Sequence, residues 1–153
     1  MFCYCRAVTS KRKQTRRSDC PLNVSLELLG DRWSLLIIRD LMFRGFRSYK
    51  ELLESEEGIA TNILANRLKR LEGCGIINTS RAESDRRQLI YRLTKKGIDL
   101  APVLLELILW GARYEETAAP PAMLRKMEKQ RQKFLSEIQR RWADESGSML
   151  LRK

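Results

Sequence analysis

The chain has 153 residues, of which 43% are hydrophobic, so it is long enough for one domain with a single core and short extensions. It contains no histidine, which is the commonest general base in enzymes and the commonest partner of a catalytic nucleophile. It also lacks a phosphate-binding glycine loop, and these two absences argue against an enzyme. No apolar run reaches membrane-spanning length and the N-terminus lacks a signal-peptide pattern, so we expect a cytoplasmic protein without membrane partners.

The formal charge of +11 is unevenly distributed along the chain. Residues 1–19 hold six Lys or Arg and one acid, residues 120–153 hold nine and four, and residues 20–119 hold fifteen and fourteen. The central segment is nearly neutral, so any contact of it with nucleic acid depends on the placement of a few groups. The basic N-terminal arm, residues 1–19, could lie along phosphates or be a disordered leader with no specific role. Its candidate phosphate contacts are Lys11, Arg12, Lys13, Arg16 and Arg17.

Two helices are predicted at the start of the central domain. Pro21 suits the first position of a helix that Gly30 ends, and a second helix follows from about Asp31, with Trp33 on its buried side. Cys20 lies at or next to the N-cap of the first helix. The helix dipole and the upstream arginines favour its thiolate form.

A helix-turn-helix unit comes next. Ser48 and Glu51 match a capping box, which starts a short helix that ends in a turn. A second helix follows, for which Thr61 is the expected N-cap and either Gly73 or Gly75 the expected end. Helix, short turn and second helix are the arrangement in which the second helix is offered to DNA.

The second helix of this unit has an apolar and a polar side. Leu64, Leu68 and Leu71 fall on the apolar side at the spacing of a 3.6-residue turn. Arg67 lies beside them and is interpreted as a structural arginine, paired with an acid of the preceding helix. The polar side carries groups that can hydrogen-bond base edges or pair with phosphate, although an ordinary core helix with a solvated side would show the same pattern. The candidate DNA contacts are Thr61, Asn62, Ala65, Asn66, Lys69 and Arg70.

Two short β-prone runs follow the helix, at residues 76–77 and 89–93, and should pair as a hairpin. The tip between them carries Arg86 and Arg87, which a wing would place near phosphate or an adjacent minor groove. Most pairs of loop arginines are simply solvated. After a candidate recognition helix, this pair predicts DNA contact.

Thr94 can cap the helix after the hairpin, which should end near Trp110-Gly111. Pro102 should kink this helix unless it falls in the first turn of a new segment. The helix has an apolar pattern but lies outside the predicted DNA-reading unit.

A further amphipathic helix is predicted from Met123 to Trp142, with aromatic residues on one side. We expect it to pair with a second subunit, within a dimerisation segment at residues 120–145 followed by a tail at 146–153. Folding back on its own domain is the alternative.

Taken together, the motifs resemble the HxlR family of winged helix-turn-helix transcription regulators, relatives of the MarR type. The resemblance covers residues 20 to about 114, which we take as the DNA-binding domain. It implies a mainly α fold with a small β-hairpin, a winged helix-turn-helix with N- and C-terminal helical extensions. The motifs are Cys20-Pro21, residues 28–37, residues 49–52, the helix from Leu64 to Leu71, residues 91–97 and Trp110-Gly111.

The resemblance also implies a function, namely a homodimer that binds double-stranded operator DNA as a repressor or activator. Some members of the family sense oxidants or electrophiles through a cysteine at the position of Cys20, which makes it a candidate redox sensor; a small capping or buried thiol is the alternative. Ala60 and Thr61 depart from the Ser-Pro or Thr pair frequent in the family, which leaves base preference open.

Two further expectations concern cofactors and the competing function. Cys3 and Cys5 have no second ligand pair, so no metal and no cofactor is expected. A winged-helix module that contacts proteins without specific DNA binding is the alternative function.

Overall fold

The structure, a computed structural model, describes residues 17–83 and 85–150, with side chains as far as residue 144. Within these residues it contains eight α-helices, one π-helical turn and a two-stranded antiparallel sheet, which confirms the mainly α fold with a small hairpin. In chain order the elements are α1 (Pro21–Leu29), α2 (Arg32–Arg39), the π-helical turn (Asp40–Arg44), α3 (Tyr49–Leu53), α4 (Thr61–Gly73), β1 (Ile77–Arg81), β2 (Leu89–Leu93), α5 (Lys95–Ile98), α6 (Ala101–Tyr114), α7 (Pro121–Lys129) and α8 (Arg131–Leu150). None of the helices in this described part is long and apolar enough to cross a membrane.

The break between α1 and α2 follows from local chemistry. A side chain at Gly30 would put its Cβ atom 2.3 Å from the carbonyl oxygen of Leu26, so only glycine fits this turn. Asp31 then caps α2, because its Oδ1 accepts a hydrogen bond from the amide of Ser34 at 3.0 Å. The predicted start of the second helix is confirmed.

A buried carboxylate joins the end of α2 to the turn after α3. Asp40 is 3% exposed. It pairs with Arg39 at 2.8 Å and with Arg44 at 3.4 Å, and it accepts a hydrogen bond from the hydroxyl of Ser55 at 2.8 Å. Because its charge is compensated on several sides, Asp40 can hold the helix-turn-helix turn against the core.

The capping box at the start of α3 is confirmed. The Ser48 side chain accepts from the amide of Glu51, while Glu51 Oε2 accepts from the amide of Ser48 at 2.7 Å. The same segment also pairs with β2 through an isolated bridge, since the amide of Tyr91 donates to the carbonyl of Arg47 at 2.7 Å and Ser48 bridges to Ile90. The wing hairpin is therefore tied to the first helix of the helix-turn-helix.

The hairpin and the helix that follows it close the winged unit. β1 and β2 pair in antiparallel register from Ile77 opposite Leu93 to Arg81 opposite Leu89, so the first strand runs further than the predicted residues 76–77. Thr94 caps α5 as predicted, accepting from the amide of Gly97 at 3.2 Å. These contacts fix the base of the wing against the core.

For the helix after the wing, the exception stated for Pro102 holds, and the observed end differs from the predicted one. α5 and α6 are separate helices, and Pro102 lies in the first turn of α6, so it causes no kink. α6 continues through Gly111 to Tyr114, past the predicted end at Trp110-Gly111. The helical hydrogen bonding continues through Gly111, because its carbonyl still accepts from the amide of Glu115 at 2.9 Å. This glycine therefore does not end the helix.

The prediction of one helix from Met123 to Trp142 is wrong, because the chain breaks at Gln130 (φ −117°, ψ 34°) into α7 and α8. The apolar side of α8 folds back on its own domain. Ile138 is 2% exposed, and the indole Nε1 of Trp142 donates to the carbonyl of Leu93 at 2.8 Å. The physical reason is that the π-helical turn and the end of β2 leave apolar surface, which α8 covers. α8 also continues to Leu150, so most of the predicted tail is helical.

Candidate nucleic-acid interface

The polar side of α4 brings together all six residues predicted to contact DNA there. Each of them is exposed, and they lie opposite Leu64, Leu68 and Leu71, which are buried as predicted. The helix is thus anchored by three leucines and presents amide, hydroxyl and ammonium groups to solvent. Such a surface can match base edges and phosphates in a major groove.

The first turn of α4 is built differently from the prediction. Ala60, in an extended conformation, is the N-cap and has no side-chain oxygen, so the prediction of Thr61 as the cap is wrong. Asn62 compensates, because its Oδ1 accepts a hydrogen bond from the amide of Ile63 at 2.9 Å, one of the amides that a helix leaves free in its first turn. The hydroxyl of Tyr49 donates to the carbonyl of Thr61 at 2.8 Å, which ties α3 to the start of α4.

Arg67 is a structural arginine, as predicted, but its partner is different. Its Nε donates to Oδ1 of Asp31 at 2.8 Å and its Nη1 to Oδ1 of Asn66 at 3.0 Å. The sequence predicted an acid of α3 as the partner. Arg67 pairs instead with Asp31, the N-cap of α2, because α2 packs beside α4. Partial burial opposes ionisation of Asp31, but hydrogen bonds from Ser34 and the charge of Arg67 outweigh it and lower the pKa of this carboxyl.

The two cations of the polar side are placed unequally. An Nη2 group of Arg70 donates to the backbone carbonyl of Glu27 in α1, so this guanidinium is held at the edge of the surface. Lys69 lies nearer its centre, and its ammonium has no hydrogen-bonding or ion-pair partner among the described residues. Arg70 is therefore partly a structural residue, and Lys69 is the cation best placed to contact a ligand.

The tip of the wing is closed by its own backbone and side chains. The amide of Ala82 donates to the carbonyl of Gln88 at 2.9 Å, and Nη1 of Arg81 donates to the carbonyl of Arg86 at 2.7 Å. Arg86 and Arg87, the predicted wing contacts, are both exposed. The tip is thus shaped to carry two guanidinium groups outward, where they can meet phosphate.

A residue that sequence reasoning missed lies between the wing and α3. An open groove there is lined by Tyr49, Lys50, Arg87 and Leu89, among others. Lys50 is exposed, with Glu54 at 3.8 Å, and it shares the groove with a wing arginine. Its position in the first turn of α3, two residues after the capping Ser48, could have indicated it from the sequence, because the start of this helix lies close to the recognition helix.

Comparison with known proteins identifies the family of this winged unit. The model of the HxlR-like helix-turn-helix family matches residues 28–119, more than half of the chain. The protein belongs to the HxlR-like helix-turn-helix family. Its relatives are transcriptional regulators, so its role is transcriptional regulation and is not enzymatic.

Two relatives show the extent of the similarity. An uncharacterised HTH-type transcriptional regulator from Synechocystis sp. is 35% identical over 97 residues, which are 63% of this chain and 71% of that protein. Another from Mycobacterium tuberculosis is 37% identical over 102 residues, 66% of this chain and 63% of that protein. The chain therefore spans just under two thirds of the length of the mycobacterial relative.

Solved structures confirm the winged-helix fold of this HxlR-like protein. PA1607, described as a candidate transcription factor, superposes with a TM-score of 0.62 at 38% identity, covering 69% of this chain and 72% of that one. The reduced form of the Bacillus subtilis regulator YodB superposes with a TM-score of 0.52 at 34% identity, covering 63% and 95%. YodB has also been solved in a quinone-bound form, with a TM-score of 0.50 at 36% identity and coverage of 62% and 99%.

Cys20 of this HxlR-like protein is exposed at the N-cap of α1. Its side chain forms no regular cap hydrogen bond, yet hydrogen bonding from the backbone amides of Asn23 and then Leu22 lowers the pKa of the thiol. The first turn of the helix therefore favours the thiolate, and Arg17, expected to contribute, does not lower this pKa. Among the residues that the structure describes, no cluster of three or more Cys, Asp or Glu could hold a metal ion.

Of the phosphate contacts predicted in the N-terminal arm, the structure describes only Arg17. The amide of Arg17 donates to Oε1 of Glu27 at 3.1 Å, which holds this part of the backbone against α1. The other predicted arm contacts, Lys11, Arg12, Lys13 and Arg16, lie outside the described residues, as do Cys3 and Cys5.

An exposed apolar stripe runs along α6 on the side turned away from the core. Val103, Leu107, Trp110 and Tyr114 recur at spacings of three and four residues, so they lie on one side of the helix. Trp110 is 61% exposed, and its ring lies 5.6 Å from that of Tyr114. A contiguous apolar patch of this kind marks a surface that another protein can cover.

Proposed function

We propose that this HxlR-like protein is a sequence-specific DNA-binding transcriptional regulator that acts on double-stranded operator DNA as a homodimer. The observation that carries the proposal is the polar side of α4, where Asn62, Asn66 and Lys69 are exposed together opposite the buried leucines. In this reading α4 enters the major groove, and the wing arginines reach the backbone beside it.

DNA binding is tested with the double variant Asn62→Ala/Asn66→Ala. Both side chains are exposed, but each accepts one hydrogen bond within the protein. Each lost hydrogen bond costs about 1 kcal/mol, and the higher helix propensity of alanine offsets part of this loss, so we expect a folded variant whose melting temperature is roughly 2–4 °C below that of the parent. Affinity for DNA selected from a random duplex pool should fall roughly 10- to 100-fold, measured by fluorescence anisotropy. Gln139→Ala, which removes an exposed amide from α8, is the matched control and should bind like the parent.

The same titration, repeated at low and moderate salt, separates the regulator from the alternative function. An operator-binding protein loses affinity steeply with salt because phosphate contacts release counterions. If the parent has no measurable affinity for duplex DNA even at low salt, the proposal fails and a winged-helix module for protein contacts is favoured. If the double variant binds as tightly as the parent, α4 is not the reading helix.

The homodimer is proposed to form through the α6 stripe. Two copies related by a two-fold axis would cover each other's apolar surface and set two α4 helices against successive half-sites. Trp110→Glu places a charge in this interface, so we expect sedimentation to show a dimer for the parent and a monomer for the variant. Gln139→Glu adds the same charge outside the stripe and should leave the dimer intact. A dimeric Trp110→Glu protein would place the interface elsewhere.

Cys20 is proposed as the site through which electrophiles or oxidants change DNA binding. The lowered thiol pKa and the exposure of the side chain support this, as does the quinone-bound form of YodB. Addition of the thiolate to a quinone forms one C–S bond and leaves the ring as a hydroquinone after proton transfer, so no further oxidant is required.

The sensor proposal is tested with p-benzoquinone and Cys20→Ser. Mass spectrometry should show one adduct at Cys20, and DNA affinity should change in the parent and stay constant in the variant. Cys74→Ser, which removes a half-buried thiol, is the matched control and should respond like the parent. An equal change of affinity in the parent and in Cys20→Ser would exclude Cys20 as the sensor.

A further inference from the structure

Both asparagines on the polar side of α4 have their side-chain oxygen engaged within the protein. Asn66 Oδ1 accepts from Nη1 of Arg67 at 3.0 Å, and Asn62 Oδ1 accepts from the amide of Ile63 at 2.9 Å. A guanidinium and a backbone amide can only donate hydrogen bonds. The oxygen of each carboxamide must therefore face inward, and the NH2 group is the part left to the solvent.

The orientation of Asn66 is maintained by a chain of contacts that reaches α2. Arg67 is held through its Nε by Oδ1 of Asp31 at 2.8 Å, and Oδ2 of Asp31 accepts from the hydroxyl of Ser34 at 2.7 Å. The Arg67 side chain is mostly buried, at 25% exposure. Turning Asn66 around would set its NH2 group against Nη1 of Arg67 and leave this guanidinium donor without its acceptor, which is unfavourable.

We propose that α4 reads hydrogen-bond acceptors, with Asn62 and Asn66 donating to guanine, in contrast to the bidentate pairing of asparagine with adenine. This inference rests on the proposed DNA-binding function and specifies the base that it recognises. Guanine presents two acceptors in the major groove, N7 and O6, whereas adenine presents one acceptor beside an N6 donor. Together with Lys69, one turn further along the helix, the asparagines present NH2 and ammonium donors to the solvent, while each carboxamide oxygen is directed toward its donor within the protein. An adenine N6 donor would therefore face other donors on this surface, whereas N7 and O6 of guanine would face matching groups.

The pyrimidines match this surface less well. Cytosine presents an N4 donor, and thymine presents a single O4 acceptor beside its methyl group. The methyl group of Ala65, exposed on the same side, could contact a thymine methyl next to the guanine. The structure therefore predicts half-sites with guanine at the positions opposite the two asparagines.

The test is selection of bound duplexes from random DNA by the full-length parent, by Asn66→Ala and by the control Gln139→Ala. The parent and the control should select the same half-site, and Asn66→Ala should lose discrimination at one guanine of it. Replacing that guanine with 7-deazaguanine removes the N7 acceptor. This should weaken binding of the parent several-fold, up to about tenfold, and leave Asn66→Ala unchanged.

The outcomes separate this inference from the function on which it rests. An adenine that loses discrimination in Asn66→Ala would overturn the inference while leaving sequence-specific binding intact. A selected motif that is identical in the parent and in Asn66→Ala would also overturn it, because Asn66 would then read no base. If the parent selects no motif at all, the proposed function itself fails. A guanine that depends on both Asn66 and N7 supports the inference.

Discussion

Replacing Ile138 with alanine tests whether α8 contributes to the stability of the domain on which it folds. Ile138 is 2% exposed and belongs to the same hydrophobic cluster as Leu93 and Ile98. Phe134, one turn earlier, lies beside Phe43 of the π-helical turn with 6.0 Å between ring centroids. Removing three carbons at position 138 therefore leaves a cavity among side chains that are already fixed by their neighbours.

The magnitude follows from the burial of this side chain. Truncating a buried isoleucine to alanine costs about 2–5 kcal/mol, and we expect about 3 kcal/mol here because α8, a terminal element, can shift to fill part of the cavity. The higher helix propensity of alanine offsets about 0.4 kcal/mol of this loss. For a chain of this size the loss corresponds to a fall in melting temperature of roughly 5–10 °C.

The assay is urea unfolding followed by circular dichroism, with both proteins at the same concentration so that any dimerisation affects them equally. Ile138→Val should lose about 1 kcal/mol, a graded effect expected only of a packed site. Gln139→Ala, at the exposed neighbouring position, should stay within about 0.5 kcal/mol of the parent. A loss below about 0.5 kcal/mol for Ile138→Ala would show that α8 does not pack on the domain in solution.

Three further predictions concern the interface and its supports. Replacing Arg86 and Arg87 with glutamine should weaken operator binding and lower the slope of log affinity against log salt by about 2, measured by anisotropy at several salt concentrations; an unchanged slope would exclude the wing from phosphate contact. The pKa values of the Asp31 and Glu51 carboxyls are lowered, and for Glu51 the largest cause is the hydrogen bond from the amide of Arg47. The two carboxylates therefore contribute fully to stability above about pH 4.5, and this contribution is lost as the pH falls through their lowered pKa values. Urea unfolding at pH 7 and pH 3 should therefore show a smaller acid-induced loss in Glu51→Gln than in the parent, and equal losses would contradict this. Arg67→Met should lower the free energy of unfolding by about 1–2 kcal/mol and, by freeing the oxygen of Asn66, should admit adenine at the position that the parent restricts to guanine; a selection unchanged from the parent would show that Arg67 does not orient this amide.

Much of the winged unit could be predicted because its signals are local. The capping box at Ser48 and Glu51 and the cap at Thr94 are interactions between residues three positions apart, and the buried side of α4 repeats at the helical period. The N-cap of α4 was misplaced by one residue, since Ala60 has no capping side chain by which a sequence pattern could reveal it. The break at Gln130 had no signal either, because no glycine or proline marks it.

The sequence by itself determined the helices and the hairpin of the winged unit, the turn at Gly30, and the side of α4 that carries polar groups, because these depend on neighbours within a few residues. Only the tertiary structure decided the partners. In it, Arg67 hydrogen-bonds the N-cap of α2, Arg70 a carbonyl of α1 and Trp142 a carbonyl of β2. These contacts join residues that are 36, 43 and 49 positions apart. Such contacts leave no periodic trace in a single chain. They also affect the chemistry of the interface, since the hydrogen bond from Arg67 directs the oxygen of Asn66 inward and leaves its NH2 donor facing the solvent.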